Sequence, residues 1–382
     1  MPASPRAPRW IVTPADMTRL VADLRSAGAV AIDTEADSLH HYPGKLCLVQ
    51  VATDAGGAHL LDPLALPDFS ALGPALADPG IVKIFHAADN DLAYLKRQHS
   101  FTVNSIFDTS IAARFLGLTA LGLDVLIKTY LDVDPGKSRQ KDDWSRRPLT
   151  AEQETYALND VVHLMPLRDR LTAELAAKGR LAWLEEECAA LAAQSVPARA
   201  TDPDAYLALK GTKDLDRRGL AVLRELYRER ERLALELDRP PFMILGHDTL
   251  VLLAARRPTD VASLLEVPGC TPKFERRFGA NVLAAIARGL TVPEDELPVR
   301  TSKPRPSVPG PVRRRIEALR AWRTKGAAAL GLDPGFFFPQ RLIDRLAATP
   351  PTDLDALARA DGVHRWRAEV AGTDILQALR TA

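Results

Sequence analysis

The chain has 382 residues, 46% hydrophobic and 26% charged, with 50 basic against 49 acidic side chains. At about 150 residues per domain this length predicts two or three domains, and the composition is too apolar for wholesale disorder. No stretch approaches the roughly 18 uninterrupted apolar residues of a membrane span, and the opening MPASPRAPRW lacks the apolar core of a signal peptide. Three cysteines far apart in sequence (Cys47, Cys188, Cys270) exclude a disulfide scaffold and the common CxxC zinc patterns, and they suit a cytoplasmic protein.

Along the chain, short apolar runs at 29–32, 46–51, 58–61 and 81–85, bounded by Gly, Pro and Asp, predict buried strands. Helical patterns fall at about 14–26, 68–77, 89–99, 109–116, 120–130 and 150–176. Strands clustered early and helices later predict an α/β domain over 1–195, a mixed sheet covered by helices. Past about 200 the strand signals vanish and the pattern becomes all-α. Prolines 293, 298, 304, 306, 309 and 311 crowd a predicted linker at 293–311, extended enough to let whatever follows it move. The helical regions on either side repeat each other. Leu237-Asp238 with Phe242 matches Leu332-Asp333 with Phe337, and Pro258-Thr259-Asp260 matches Pro351-Thr352-Asp353. Two copies of one helical module are predicted, at 205–292 and 312–382.

The chemistry-bearing residues lie in three pieces of the first domain. Asp33-Thr34-Glu35 ends the first apolar run, and residues i and i+2 of a strand share a face. Two carboxylates there are either a strand end turning into solvent or a pair waiting for a cation. Asp91 falls in the first turn of the helix predicted at 89–99, where the helix dipole alone favours an anion and where Asp89 or Asn90 offers a cap. Thr150-Ala151-Glu152-Gln153 is a capping box opening a helix that carries Tyr156 and Asp160 one turn apart. Tyr156 alone is ordinary packing, whereas Asp160 beside an apolar stripe needs a partner. Together they offer four carboxylates and a phenol, a set that suits hard divalent cations and their use in phosphodiester cleavage.

These motifs resemble the DEDD superfamily of 3′–5′ exonucleases in its tyrosine-bearing subgroup. The stretches His40-His41-Tyr42-Pro43-Gly44-Lys45-Leu46-Cys47-Leu48-Val49-Gln50 and Lys137 to Thr150 resemble ribonuclease D, and the two helical copies resemble HRDC domains. The resemblance implies a ribonuclease-H-like exonuclease domain followed by two all-α HRDC domains, the second more divergent. It implies two divalent ions, Mg²⁺ or Mn²⁺, with Asp33 bridging both. Glu35 and Asp160 would complete the site of the water-activating ion, Asp91 would hold the second, and Tyr156 would orient the attacking water. It implies RNA 3′ ends as substrate, transfer RNA precursors among them, trimmed to 5′-mononucleotides. Three covered domains in one chain make a monomer the default. Single-stranded DNA is an alternative substrate, since only contacts to the 2′-OH separate the sugars. A binding protein with a dead nuclease fold is a third alternative, although all five motif positions are filled.

Weaker substrate-binding candidates are His86, Lys137, Arg139, Gln140 and Trp144. His86 is otherwise a hydrogen-bonded strand-end histidine, Lys137 and Arg139 belong to a charge run, and Trp144 is otherwise packing. Between Leu297 and Gly326, Arg300, Lys303, Arg305, Arg313, Arg314, Arg315, Arg320, Arg323 and Lys325 face one acid, Glu317. That local excess reads as an electrostatic footprint for a polyanion.

Overall fold

The computed structural model describes residues 9–197, 202–299 and 308–381. The chain forms two compact units, one of Met1–Glu35, Leu46–Pro197 and Ser307–Ala382, the other of Ala36–Lys45 and Ala198–Pro306. The predicted linker lies partly outside the described residues, as do Arg300, Lys303 and Arg305 of the basic segment.

The first unit is built on a six-stranded sheet: β1 (Arg9–Ile11), β2 (Ala29–Ala36), β3 (Leu46–Thr53), β4 (Ala58–Leu61), β5 (Val82–Phe85) and β6 (Ile106–Asp108), in the order β1-β4-β3-β2-β5-β6. β3 and β4 are antiparallel, whereas β1–β4, β2–β5 and β5–β6 are parallel, so the sheet is mixed as expected. β3 is buried along its whole length, the mark of a strand covered on both faces. α1 (Pro14–Ser26) starts where the Thr13–Asp16 capping box and Pro14 place it, and it buries Met17, Leu20, Val21 and Leu24. α2 (Gly73–Ala77) follows a short 3₁₀ turn, and α3 (Asp89–His99), α4 (Thr109–Leu116) and α5 (Leu123–Leu131) come next. The helix predicted at 150–176 is two: α6 (Ala151–Val162) and α7 (Leu164–Ala177), broken at His163. Pro166 explains the break, because a proline has no N–H to donate and its ring crowds the carbonyl four residues upstream, that of Val162. α8 (Leu181–Ala193) completes the α/β part.

The second unit holds the first helical copy: α9 (Arg217–Glu236), α10 (Pro241–Ile244), α11 (His247–Arg256), α12 (Val261–Leu265), α13 (Pro272–Phe274) and α14 (Ala280–Leu290). α9 and α14 approach closely because residue 289 is glycine; a Cβ there would sit 2.4 Å from the Cα of Val222. The same unit includes the loop Ala36–Lys45, which leaves the end of β2. The buried Asp37 carboxylate closes its neck by accepting the Lys45 N–H at 2.7 Å. At its tip, Asp238 at the end of α9 holds the His41 ring at 2.6 Å and the Tyr42 N–H at 3.1 Å, and the Tyr42 hydroxyl donates to Glu231 at 2.5 Å.

The second copy, α15 (Gly310–Leu330), α16 (Pro334–Phe337), α17 (Gln340–Ala348), α18 (Leu354–Ala358) and α19 (Arg365–Arg380), belongs to the first unit. The predicted linker permits movement of this last module, yet in the structure the copy shares one hydrophobic core with the α/β part. Trp366 is buried, stacked on Trp183 of α8 at 4.9 Å and edge-on to Phe115 of α4 at 5.2 Å. Glu187 of α8 receives Arg367 at 2.5 Å and the Trp366 indole N–H at 3.0 Å. The Arg180 guanidinium donates to the carbonyls of Phe115 at 2.6 Å and Leu330 at 2.7 Å. Gly117, at φ +86°, lies so close to the Gly331 carbonyl that a Cβ would meet its oxygen at 2.2 Å. Several basic residues of α15 also serve the fold: Arg315 and Arg323 donate to the carbonyls of Ala347 and Phe338.

Candidate active site

β2 is buried from Ala29 to Ile32 and carries the half-buried Asp33 and the buried Glu35 beyond them, so an apolar strand delivers two carboxylates at its carboxyl end. Asp91 arrives on the first turn of α3. The start of α3 is set from the neighbouring strand: the Asp108 carboxylate at the end of β6 accepts the N–H groups of Ala87 at 3.2 Å and Ala88 at 2.9 Å. It also caps α4 through Ser110 at 2.8 Å and Ile111 at 3.0 Å. Ala88 is the cap position of α3, with no side-chain cap, so neither Asp89 nor Asn90 has the role expected of it. Tyr156 and Asp160 arrive on α6, whose capping box forms as predicted, Gln153 N–H to Thr150 at 3.2 Å and Thr150 N–H to Gln153 at 3.0 Å.

The three pieces meet. Carboxylate oxygens of Asp33, Glu35 and Asp160 all lie within 4.8 Å of one another. Asp91 is fastened beside them by the Thr34 hydroxyl, which donates to it at 2.5 Å. Glu35 and Asp91 are each 7% exposed, while Asp33 and Asp160 are half-buried. Four acids this close cannot all ionise cheaply. Burial, then repulsion from Asp91, Asp160 and Glu35, raises the Asp33 carboxyl well above the usual range. Burial, with Asp160, Asp91 and Asp142 adding repulsion, pushes Glu35 up to about 9. Burial takes Asp91 to about 7 against the opposing Thr34 hydrogen bond, and takes Asp160 to about 7 against a hydrogen bond from Tyr156. The Tyr156 phenol is itself raised far above its ordinary value by burial and by the negative charge of Asp160 and Glu35.

The weaker candidates divide. Lys137 and Gln140 are exposed. Arg139 is half-buried and paired with Asp142 at 3.2 Å; Asp142 also accepts from Gln153 at 3.3 Å, which ties this loop to the start of α6. His86 is tied to Thr109 at 2.9 Å and to the Leu121 carbonyl, and burial lowers its pKa. Trp144 departs from the base-stacking expectation. It is fully buried among Cys47, Leu48, Leu60, Leu149 and Ala157, its ring 6.0 Å from that of Tyr156, so it packs behind the phenol. Sequence reasoning passed over Arg147, which clamps this loop to the sheet through Asp62 at 2.6 Å and 2.9 Å and the Cys47 carbonyl at 2.7 Å. It also passed over Thr34 and Asp108. Asp108 carries a readable signal, an Asp directly before a helix; Thr34 carries none, because its partner is 57 residues away.

Comparison with known proteins decides the family. A family model described as 3′–5′ exonuclease matches residues 8–176, and the HRDC domain model matches twice, at 219–286 and 312–379. The ribonuclease D of Pseudomonas paraeruginosa is 32% identical over 380 residues, covering 98% of each chain. The chain belongs to the ribonuclease D family. Its fold is that of the family as well. The crystal structure of Escherichia coli RNase D, described as an exoribonuclease involved in structured RNA processing, superposes with a TM-score of 0.72 at 27% identity, over 98% of this chain and 99% of that one. A protein from Bifidobacterium adolescentis shares the fold at a TM-score of 0.82 and 24% identity, over 99% of each chain. As a ribonuclease D, the chain is a 3′–5′ exoribonuclease with an acidic cluster of the kind that uses divalent metal. Among the described residues no helix is long and apolar enough to cross a membrane.

Proposed function

We propose that the chain trims RNA from its 3′ end one nucleotide at a time, releasing 5′-mononucleotides, with two divalent ions, Mg²⁺ or Mn²⁺, held by Asp33, Glu35, Asp91 and Asp160. The observation that carries this is the convergence of Asp33, Glu35 and Asp160 within 4.8 Å, with Asp91 fastened beside them. The donor set fits: hard carboxylate oxygens, raised in pKa by burial and by one another, are the donors a hard cation stabilises. When bound, such ions supply a nucleophilic water at neutral pH and stabilise the leaving oxygen.

The chain's own groups do the rest. Asp33, Glu35 and Asp160 present their oxygens on a strand end and a helix, both rigid elements. The Thr34 hydroxyl fixes Asp91 by hydrogen bonding one of its oxygens. Tyr156 stays a neutral phenol at every working pH and donates to Asp160, so it orients a water without adding charge to an already crowded site. Trp144, locked behind it, holds the ring in place. Lys137 and Gln140, exposed on the loop before α6, would meet the RNA backbone. The RNA substrates would be transfer RNA precursors and other structured RNAs with free 3′ ends, met in the cytoplasm by a monomer. The three cysteines, all buried and free, support that compartment.

Metal binding tests the site directly. Titration of the EDTA-stripped protein with Mn²⁺, followed by electron paramagnetic resonance, is expected to show two sites per chain, with the tighter one lost in Asp33→Asn. Mn²⁺ binding unchanged by Asp33→Asn overturns the assignment.

A further inference from the structure

A second charged site lies away from the carboxylates, at the seam between the exonuclease part and the second HRDC copy. It is a polar cleft of about 320 Å³, at the lower end of ligand-sized pockets. Its walls come from α4, α8, α16, α17 and the start of α19. The carboxylates that face it are already committed. Glu187 takes Arg367 at 2.5 Å, the Trp366 indole at 3.0 Å and His364 at 2.9 Å. Asp333 caps α16 by accepting the Phe336 N–H at 2.8 Å. Buried Arg367 is likewise satisfied, by Glu187 and by the carbonyls of Phe337 at 2.8 Å and Phe336 at 3.1 Å.

Two guanidiniums at this cleft remain uncompensated. Arg114 is exposed on α4 and lies over the Phe336 ring at 5.6 Å. Arg341 is exposed on α17 and forms no ion pair among the described residues. Burial, and with it the like charge of Arg341, holds the Arg367 guanidinium below its ordinary pKa, so the Arg341 charge is felt inside the cleft. Glu186, whose charge also reaches Arg367, lies outside the lining and is committed to the backbone N–H groups of Arg365 and Trp366. Among the lining side chains three guanidiniums stand against two committed carboxylates, a surplus of one positive charge beside an aromatic wall. Phe336 is itself braced edge-on by Phe115 at 4.8 Å.

We propose that this cleft is a seat for a nucleotide phosphate, with Arg114 and Arg341 as its donors and the Arg114–Phe336 stack as a platform for the attached base. Guanidinium forks match phosphate oxygens, and a base stacks on a guanidinium plane as it does on an aromatic ring. The phosphate comes from one of two sources: the RNA chain, for which the inference rests on the RNA reading above, or a free mononucleotide. A phosphate there touches both the exonuclease helix α4 and the second HRDC copy, which gives that copy a share in the grip on RNA.

The test uses the whole chain with Arg114→Gln and Arg341→Gln combined, and Arg114→Lys with Arg341→Lys as the charge-retaining control for folding. Affinity for a short single-stranded RNA is read by fluorescence anisotropy in EDTA across a salt series. Loss of one neutralised phosphate makes the slope of log affinity against log salt shallower by about 0.7, the value per phosphate on single strands. The lysine pair restores most of that slope, and kcat at saturating RNA is unchanged in both. In a second arm, 5′-AMP is added in EDTA and the thermal shift is compared between the glutamine pair and wild type. A difference in the RNA arm assigns the seat to the chain, and a difference in the AMP arm alone assigns it to the free nucleotide. Equal RNA affinity and slope together with equal AMP shifts overturn the proposal. Wild-type protein that fails to bind RNA at all sinks the RNA reading, while the AMP arm still decides the seat.

Discussion

The carboxylate cluster makes an unusual demand: replacing its central member should abolish trimming and yet stabilise the metal-free protein. Asp33→Asn is the perturbation. In the folded, metal-free chain Asp91 and Asp160 are raised from 3.8 to about 7, and each such shift represents roughly 4 kcal/mol of folded-state cost once the group is forced to ionise. Two unit charges at the 4.8 Å limit of the cluster repel by about 3 kcal/mol at an effective dielectric constant of about 20. The remaining carboxyls already relieve part of this by keeping protons. The net gain from Asp33→Asn in EDTA at about pH 8 is therefore expected to be about 1–3 kcal/mol, or roughly 3–8 °C in Tm. The sign follows from the direction of the shifts. Carboxyls whose folded pKa is raised contribute stability that is fully present below their unfolded values of 3.8 and 4.5. It is lost as pH rises through about 7 for Asp91 and Asp160 and about 9 for Glu35. The wild-type protein in EDTA thus melts lower at alkaline than at mildly acidic pH, and the advantage of Asp33→Asn shrinks as the pH falls. Excess Mn²⁺ reverses the order, raising wild type above the variant. The assay is differential scanning fluorimetry across pH, with EDTA or Mn²⁺. A metal-free Asp33→Asn that melts below wild type at pH 8 refutes the reasoning, since Asp33 would then be a structural acceptor rather than a strained ligand.

Tyr156→Phe keeps the ring that packs on Trp144 and removes the donor to Asp160; kcat should fall about 10²-fold or more with Mn²⁺ affinity little changed, and an unchanged kcat would show that the phenol has no part in the reaction. Arg147→Ala leaves the buried Asp62 carboxylate without its cation, with only the Leu64 and Ala65 N–H groups still on it, and should cost about 3–5 kcal/mol in denaturant melts, with trimming reduced as the loop before α6 loosens; a cost below about 1 kcal/mol contradicts the clamp. Trp366→Ala opens the core shared by the second HRDC copy and the exonuclease part and should cost about 3–5 kcal/mol, read as increased hydrogen exchange in α8 as well as α19; exchange confined to α19 contradicts the shared core. Asp238→Ala removes the acceptor for the Tyr42 N–H, so amide exchange at His41 and Tyr42 should rise while that of β3 stays slow, an outcome readable by mass spectrometry.

What the sequence made legible is what local chemistry sets. α1, α3 and α4 run over the predicted 14–26, 89–99 and 109–116 because their limits are written in nearby residues: the Thr13–Asp16 box before α1, Ser100 at positive φ after α3, Asp108 before α4 and Gly117 after it. The spacing of the acidic cluster was legible for the same reason, since Asp33 and Glu35 share a strand face and Tyr156 and Asp160 a helix face whatever lies around them. The three-residue strands β1 and β6 were not predicted, because alternation cannot show in so few positions and both exist only by pairing with distant partners, β4 and β5. The break at His163 was missed although Pro166 announced it. The seating of the second HRDC copy was beyond reach: it depends on Trp183 meeting Trp366 and Glu187 meeting Arg367, pairs about 180 residues apart whose meeting no local pattern records. Of the two readings of Trp144, base stacking and packing, its complete burial leaves packing.

The central claim is that these carboxylates cut RNA from its 3′ end, and a trimming assay meets it most directly. A 5′-labelled RNA and a single-stranded DNA of the same sequence are incubated with the protein in Mg²⁺ or Mn²⁺, beside EDTA and Asp33→Asn controls. The account predicts a ladder shortening from the 3′ end on RNA, absent in both controls. A ladder that persists in Asp33→Asn, or RNA bound but never shortened under any metal, contradicts it, and equal shortening of the DNA widens the activity to a general 3′ exonuclease.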